Sequence, residues 1–463
     1  MEISQMKRRE FLKTVAGTSL LSLSGSTSIV SAKTGPDSPS AGRSGDRPNV
    51  LFISIEDISP HRLGTYGNEI CKTPNIGRVA GQGLRFDLAH CSAAPCCPSR
   101  ASMLSGLRPE TTGIFSNKDN WAKKLPSGST IPEHFRAHGY EATRVGKIFH
   151  RGTRRDGKRI IFDDSERWSR VIPPHQGMPG RTHKRRPLRG QTDVVKKNKE
   201  LRAQGKPRLG VPFLYGPSGQ DPIEHTDGMI AEHAVRLLSE RHEKPLFLAL
   251  GFHSPHLPFT APDRYFEMYP PEKITLPDNP PNDLDDAPVG IHKDHTRTFH
   301  DEHKWREAIA AHYATATFVD DQVGRVLDAL EESGAADNTV VVVWSDHGFQ
   351  LGEHFRWRKG DLFDHSAMVA LLMKVPGVTM PGTMCKRPTE SIDIFPTLCD
   401  VCGIPIPEKL EGIIRDFGLD LLGVVREDDA IQEFDLTGRP TFDLPADNPA
   451  LGSAYRLFDR IVS

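Results

Sequence analysis

Three runs along the chain are apolar at nearly every position: NVLFISI (49–55), PLFLALGF (245–252) and TVVVVWS (339–345). A strand with one wet face alternates apolar and polar residues, whereas a strand covered on both faces does not. The three runs therefore predict central strands of a sheet sandwiched between helices. Two other stretches, DGMIAEHAVRLLSE (227–240) and ATATFVDDQVGRVLDALEES (314–333), repeat their apolar residues at the helical period and predict amphipathic helices. IDIFPTLCDVCG (392–403) has the same spacing. Together these patterns predict an α/β sandwich around a large, mostly parallel sheet. From 254 to 300 the chain is rich in Pro and Asp, which predicts long ordered loops of the kind that line a site.

Composition narrows the class. With 463 residues, 37% apolar and 26% charged, the chain can bury a large core and is neither disordered nor fibrous. Its 59 basic and 60 acidic side chains nearly cancel, so net charge selects no partner and gives no sign of nucleic-acid binding. Charge is uneven locally: residues 151–210 hold 18 Lys/Arg against 6 Asp/Glu, as either a solvated loop or a collar for a polyanionic substrate.

KRREFLK (7–13), with its Arg8–Arg9 pair, leads into a weakly apolar, Ser/Gly-rich run that ends in Val30-Ser31-Ala32. The pattern resembles a twin-arginine signal peptide over 1–32, followed by a flexible linker over 33–46, and predicts export to the periplasm. The run is too weak for a membrane span. Seven cysteines are too few for a disulfide scaffold, and the Cys399–Cys402 pair reads as core thiols or one local disulfide.

Candidate chemistry begins at strand ends. Glu56 and Asp57 follow the first apolar run, and Asp346 and His347 follow the last. Ligands of α/β sheets gather at the carboxyl ends of strands, so the two pairs are placed to converge on one cation. Three carboxylates and an imidazole form a hard, oxygen-rich set suited to Ca²⁺ ahead of Mg²⁺ or Mn²⁺. The same acidic residues would also serve as ordinary helix caps after strands.

The stretch PCCPSRASMLSG (95–106) sets two cysteines side by side. A disulfide between neighbours is strained, and a metal site wants a spacer between its thiolates. Cys96-Cys97-Pro98-Ser99-Arg100 matches the C-x-P-S-R signature of sulfatases, in which the first cysteine is oxidised to formylglycine, and only Cys96 has the required register. The resemblance runs over about residues 47–423 and is closest to the iduronate-2-sulfatase-like branch. It is carried by TPNIGRVAGQGLRF (73–86), STIPEHFRAHGYEATRVGKIFH (129–150), GFHSPHLPF (251–259), SDHGFQLGEHFRWRKGDLFDHS (345–366) and DIFPTLCDVCGIPIPEKLEG (393–412).

The resemblance implies an alkaline-phosphatase-like sandwich and a catalytic domain over 47–423. It places the family's metal ligands on Glu56, Asp57, Asp346 and His347, where the first is usually Asp, and its polar shell on Arg100, Lys147, His150, His253 and Lys359. Its formylglycine, once hydrated, offers two geminal hydroxyls. One attacks sulfur in line with the departing alcohol, and the other expels sulfate and restores the aldehyde. Lys147, Lys359 and Ca²⁺ would neutralise the sulfuryl oxygens, Arg100 and His150 would orient the hydrate, and His253 would protonate the leaving oxygen. His256, His354 and His365 read as structural or supporting residues. The implied partners are a sulfated carbohydrate, including 2-O-sulfated uronic acids, and a formylglycine-generating or anaerobic sulfatase-maturating enzyme.

Two other functions fit parts of the pattern: a phosphomonoester or phosphodiester hydrolase of the same fold, and a non-catalytic glycan-binding relative. After LEGIIRDFGLDLLG (410–423) only 40 residues remain, and GSAYRLFDRIVS (452–463) resembles the opening of the family's smaller C-terminal domain. A shortened C-terminal subdomain over 424–463 is the expectation.

Overall fold

A computed structural model describes residues 47–407, apart from 156–157, 163, 179–183, 207–211, 286 and 288–300. The expected signal peptide, linker and C-terminal subdomain lie outside the described residues, as does the end of the expected catalytic domain.

Eight strands form the main sheet: β1 (Asn49–Ile55), β2 (Leu84–Phe86), β3 (Glu141–Gly146), β4 (Arg170–Ile172), β5 (Leu246–Phe252), β6 (Thr339–Ser345), β7 (Leu371–Lys374) and β8 (Thr383–Cys385). Their spatial order is β8-β2-β7-β6-β1-β5-β3-β4. From β6 through β1, β5 and β3 to β4 every pairing is parallel, while β7 runs antiparallel to both β6 and β2. The three apolar runs are therefore the adjacent central strands β6, β1 and β5. All seven residues of β5 and of β6 are buried, as strands covered on both faces require.

Helices cover the two faces: α1 (Pro74–Gln82), α2 (Cys96–Ser105), α3 (Thr226–Ser239), α4 (Glu302–Glu332) and α5 (Ile394–Val401). Alternation along β1 sends Leu51, Ile53 and Ile55 into one apolar cluster with Ile76 and Val79 of α1, Ile230 of α3 and Phe318 and Val323 of α4. On the opposite face Phe52 packs against Trp344, with ring centroids 6.1 Å apart. Helix α2, buried at all ten positions, reaches that face through Arg100, whose guanidinium lies 5.8 Å from the Trp344 ring.

Register decides what emerges at the carboxyl ends. Ile55 pairs with Ser345 on one side and Phe252 on the other, and Gly251 pairs with Gly146. The next residues, Glu56–Asp57, Asp346–His347, His253 and Lys147, therefore leave four neighbouring strands along one edge. Gly251 is required by this closeness, because a Cβ there would run into the Lys147 backbone.

Beside this edge Arg62 and Glu353 form a buried ion pair, and Glu353 Oε2 also accepts the Leu351 N–H at 2.7 Å. Burial alone would raise the Glu353 carboxyl, but Arg62, His365 and the Leu351 N–H together outweigh it and hold the group down at about 2, against an ordinary 4.5. A carboxyl lowered by folding contributes stability above its ordinary value, and that contribution is lost as pH falls toward the folded value. At 1.36 kcal/mol per pKa unit, the net shift that Arg62, His365 and the Leu351 N–H produce against burial corresponds to roughly 3 kcal/mol of pH-dependent stability. Glu353→Gln should lose about that much at pH 7 and show a flatter decline from pH 5 to pH 2 in chemical denaturation. An acid decline as steep as that of the wild type would exclude the pair as its source.

Candidate functional site

Cys96 opens α2 at the carboxyl edge of the sheet. Its buried sulfur lies 3.2 Å from Lys359 Nζ, 3.3 Å from His347 Nε2 and 3.6 Å from Glu56 Oε1. Burial pushes the thiol up to about 12, against the pull of Lys359. Cys97 turns away: its sulfur lies 3.7 Å from the Asp119 carbonyl, and its N–H donates to Asn117 Oδ1 at 2.8 Å.

Asp346 is fully buried. Its Oδ1 accepts the N–H of Asp57 and of His347, each at 3.1 Å, and its Oδ2 faces Arg100 Nε at 3.0 Å. Burial would raise this carboxyl, but His347 and Arg100 hold it well below the usual range. Asp57 is likewise raised by burial and lowered further by Lys359, which is in contact with its Oδ1. At φ 57° Asp57 occupies the left-handed region, which turns the chain sharply off β1. The same residue's carbonyl faces His312 Nε2 at 3.2 Å.

His347 Nδ1 lies 2.9 Å from the Gly348 carbonyl. A carbonyl only accepts, so Nδ1 carries the hydrogen and Nε2 turns its lone pair to the cluster. That nitrogen is 3.5 Å from Asp57 Oδ1 and 3.4 Å from Asp346 Oδ2.

On the other flank, Glu56 Oε1 is in ion-pair contact with Lys147 Nζ. Burial pushes the Lys147 ammonium down to about 7, Asp346 opposes the shift, and the positive charges of Lys359 and Arg151 add to it. His253 Nδ1 is 3.7 Å from Glu56 Oε2, and burial followed by Lys147 holds the ring below the ordinary imidazole value.

The sequence reading set His256 aside, yet its Nε2 lies 3.9 Å from Glu56 Oε1 and 3.9 Å from Asp57 Oδ2. A second imidazole three residues after His253 in GFHSPH was the available signal, since one tight loop can carry both into a site. His354 and His365 do stay outside the cluster: His354 pairs with Asp283 at 2.8 Å and stacks on Phe363, and the His365 ring faces His61 at 4.5 Å.

Arg100 Nη1 donates to the carbonyls of Lys147 and Ile148, both at 2.9 Å, and to Ser54 Oγ at 3.1 Å. Its Nη2 is buried with no partner, and so is His150 Nδ1. The His150 carbonyl accepts the Trp121 indole N–H at 2.7 Å, while burial, then Lys147 and Arg100, press its ring down to about 3. All ten residues named from sequence thus belong to one edge of the fold.

The potential ligand atoms fall into two groups, each with its atoms within 4.8 Å of one another: Asp57, Cys96, Asp346 and His347, and Glu56, Asp57, Cys96 and His256. Glu56 is therefore not gathered with Asp346 and His347 in a single group. Asp57 and Cys96 join the two.

The basic stretch is less available than its composition implies. Arg186 pairs with Asp263 at 2.7 Å, Arg170 with Glu240 at 3.2 Å, and Arg167 with Glu133 at 2.6 Å. Thr192–Ala203 is a helix with no buried residue. Among the described residues, no helix is long and apolar enough to cross a membrane.

Comparison with known proteins agrees with this geometry. The family model described as Sulfatase matches residues 48–404. A protein named Sulfatase from Formosa agariphila is 34% identical, the match covering 78% of this chain and 70% of that one. Iduronate 2-sulfatase from Mus musculus is 30% identical over 88% of this chain and 80% of its own. Among solved structures, a phosphonate monoester hydrolase of Agrobacterium radiobacter superposes with a TM-score of 0.56 at 25% identity, covering 78% of this chain and 74% of that one. With the fold alkaline-phosphatase-like and the family match spanning most of its length, the chain belongs to the sulfatase family and is a sulfuric ester hydrolase.

Proposed function

We propose that this sulfatase removes sulfate from carbohydrates, with 2-O-sulfated uronic acids as the favoured class, and that residue 96 is its nucleophile after conversion to formylglycine. The observation that carries the reading is the setting of Cys96. Its sulfur meets Lys359, His347 and Glu56 while Arg100 Nη2 and His150 Nδ1 stand buried without partners nearby on the same edge. A thiol is one weak donor and one weak acceptor and leaves such a shell unsatisfied. Hydrated formylglycine supplies two hydroxyls, one to attack sulfur and one to release sulfate.

The donor set also fits a hard cation. Asp57, Asp346 and His347 supply two carboxylates and a lone-pair nitrogen, and Glu56 adds a third carboxylate beside Asp57. Oxygen-rich sets of this kind suit Ca²⁺ better than Zn²⁺. A cation held there would supply positive charge against the reacting sulfate and nucleophile.

The remaining work falls to the chain's own side chains. Lys359, in contact with residue 96, and Lys147, in contact with Glu56 beside it, are placed to hold sulfuryl oxygens. Arg100, anchored on Asp346 and two carbonyls, orients the nucleophile with His150. His253 gives its proton to the departing alcohol, aided by the negative charge that the sulfate brings, and His256 adds a second imidazole on that side. Similarity to iduronate 2-sulfatase supports the uronic acid, and the Arg8–Arg9 start supports export to the periplasm.

Co-expression with a formylglycine-generating enzyme should yield a residue-96 peptide with the mass of formylglycine and a protein that hydrolyses a 2-O-sulfated uronate disaccharide. Cys96→Ala should lose at least about 10³-fold in kcat/KM, while Cys97→Ala keeps most activity. Equal losses from both would sink the register assignment, and faster turnover of a phosphate monoester would favour a phosphate hydrolase.

Elemental analysis should find about one divalent ion per chain, calcium rather than zinc. Asp346→Ala should abolish its binding. Retention of a full equivalent by that variant would remove Asp346 from the ligand set.

A further inference from the structure

We propose that Asp227 is a positioning residue for leaving-group protonation. It holds His253, together with His256 on the same loop, where a proton can reach the departing alcohol. This inference rests on the sulfatase reading of the site and assigns a role to a residue outside it.

Asp227 is the second residue of α3 and is almost fully buried, with 3% of its surface exposed. Its hydrogen bonds do not go to Cys96 or to the carboxylate cluster among the described residues. Instead its Oδ1 accepts the His253 N–H at 2.7 Å and its Oδ2 accepts the Ser254 N–H at 2.9 Å. Two adjacent backbone amides on one carboxylate hold the peptide plane between them, and therefore the direction in which the His253 side chain leaves the backbone.

The support is itself fixed. Asp227 lies in the first turn of α3, where the helix dipole favours a negative charge. Gly228 lies so close to the Pro222 carbonyl that a Cβ would collide with it. His225 Nε2, at the start of the helix, is 2.8 Å from Ser218 Oγ, and its ring packs on Phe318 of α4.

The loop it holds is short. Residue 252 ends β5, and by residue 259 the chain is tied again, with the Phe259 N–H donating to the Leu214 carbonyl at 3.0 Å. Between them the His256 N–H donates to the His253 carbonyl at 2.8 Å, so the two imidazoles move together. A loop free to shift by an ångström at His253 would misplace a proton donor that has to lie within hydrogen-bond reach of the leaving oxygen.

Leaving-group chemistry separates this role from a structural one. A sugar alkoxide is a poor leaving group and needs its proton as the S–O bond breaks, while 4-nitrophenolate departs without one. Asp227→Ala should lower kcat on a 2-O-sulfated uronate disaccharide about 100-fold and kcat on 4-nitrophenyl sulfate less than about 5-fold, with KM changed little. Asp227→Asn keeps the volume and the Oδ1 acceptor. Its amide nitrogen would face the Ser254 N–H, so it should fold with a modestly lowered Tm and show a smaller loss with the same preference for the nitrophenyl ester, and it decides the matter if the alanine variant does not fold. Equal losses on the two esters, or no loss on either, would overturn the proposal. Wild-type enzyme that turns over neither ester would overturn the sulfatase reading and this inference with it.

Discussion

The ion pair between Arg100 and Asp346 joins two side chains with no solvent exposure, at 3.0 Å, and most of the site hangs from it. A carboxylate or guanidinium taken out of water costs several kcal/mol unless its partners replace the lost hydration. Asp346 finds them in Arg100 and in the amides of Asp57 and His347. Arg100 finds them in Asp346, Ser54 and the carbonyls of Lys147 and Ile148. Every one of these partners belongs to the edge where β6, β1 and β3 end. Pairing one buried charge with another therefore fixes α2, and residue 96 at its start, against three strands at once. Removing either member strands the other, which makes the position of residue 96 a property of the whole sheet rather than of one loop.

The sheet itself asks little of chemistry beyond register. Parallel neighbours end side by side, so one polar residue past each strand becomes a ring of groups a few ångströms apart. That is why the strand-end pairs Glu56–Asp57 and Asp346–His347 could be read from sequence: the apolar runs are long enough to count, and the acidic residues follow them at once. The helices of 227–240 and 314–333 were legible for a similar reason, although α4 begins at Glu302, where its first turns carry too few apolar residues to show a stripe.

What could not be read was contact between elements distant in sequence. His256 looked like a loop histidine because nothing local to HSPH shows that β5 ends beside β1. Nothing local to Asp227 signals its role, since its partners His253 and Ser254 are 26 and 27 residues away. The basic stretch shows the same limit. Counting charge over 151–210 gives a strong excess, but Asp263, Glu240 and Glu133 come from other parts of the chain and neutralise Arg186, Arg170 and Arg167. A linear count cannot include countercharge that folding delivers.

Recognition of the reacting sulfate itself falls to the strand-end edge, where the balance of charge is close. Glu56, Asp57 and Asp346 are matched by Lys147, Lys359 and Arg100, each cation touching a carboxylate. A neutral cluster has little net attraction for a sulfate ester. On the function proposed above, attraction comes from exchange of partners: Glu56 and Asp57, which now contact the two lysines, are also among the residues that would hold a cation. Lys359 lies 3.2 Å from the sulfur of residue 96, within reach of an anion held there. The longer side chain at Glu56 matters here, because it reaches Lys147 and the two loop histidines rather than Asp346. Cation and substrate binding are then linked through the two lysines, and each favours the other without any movement of the sheet.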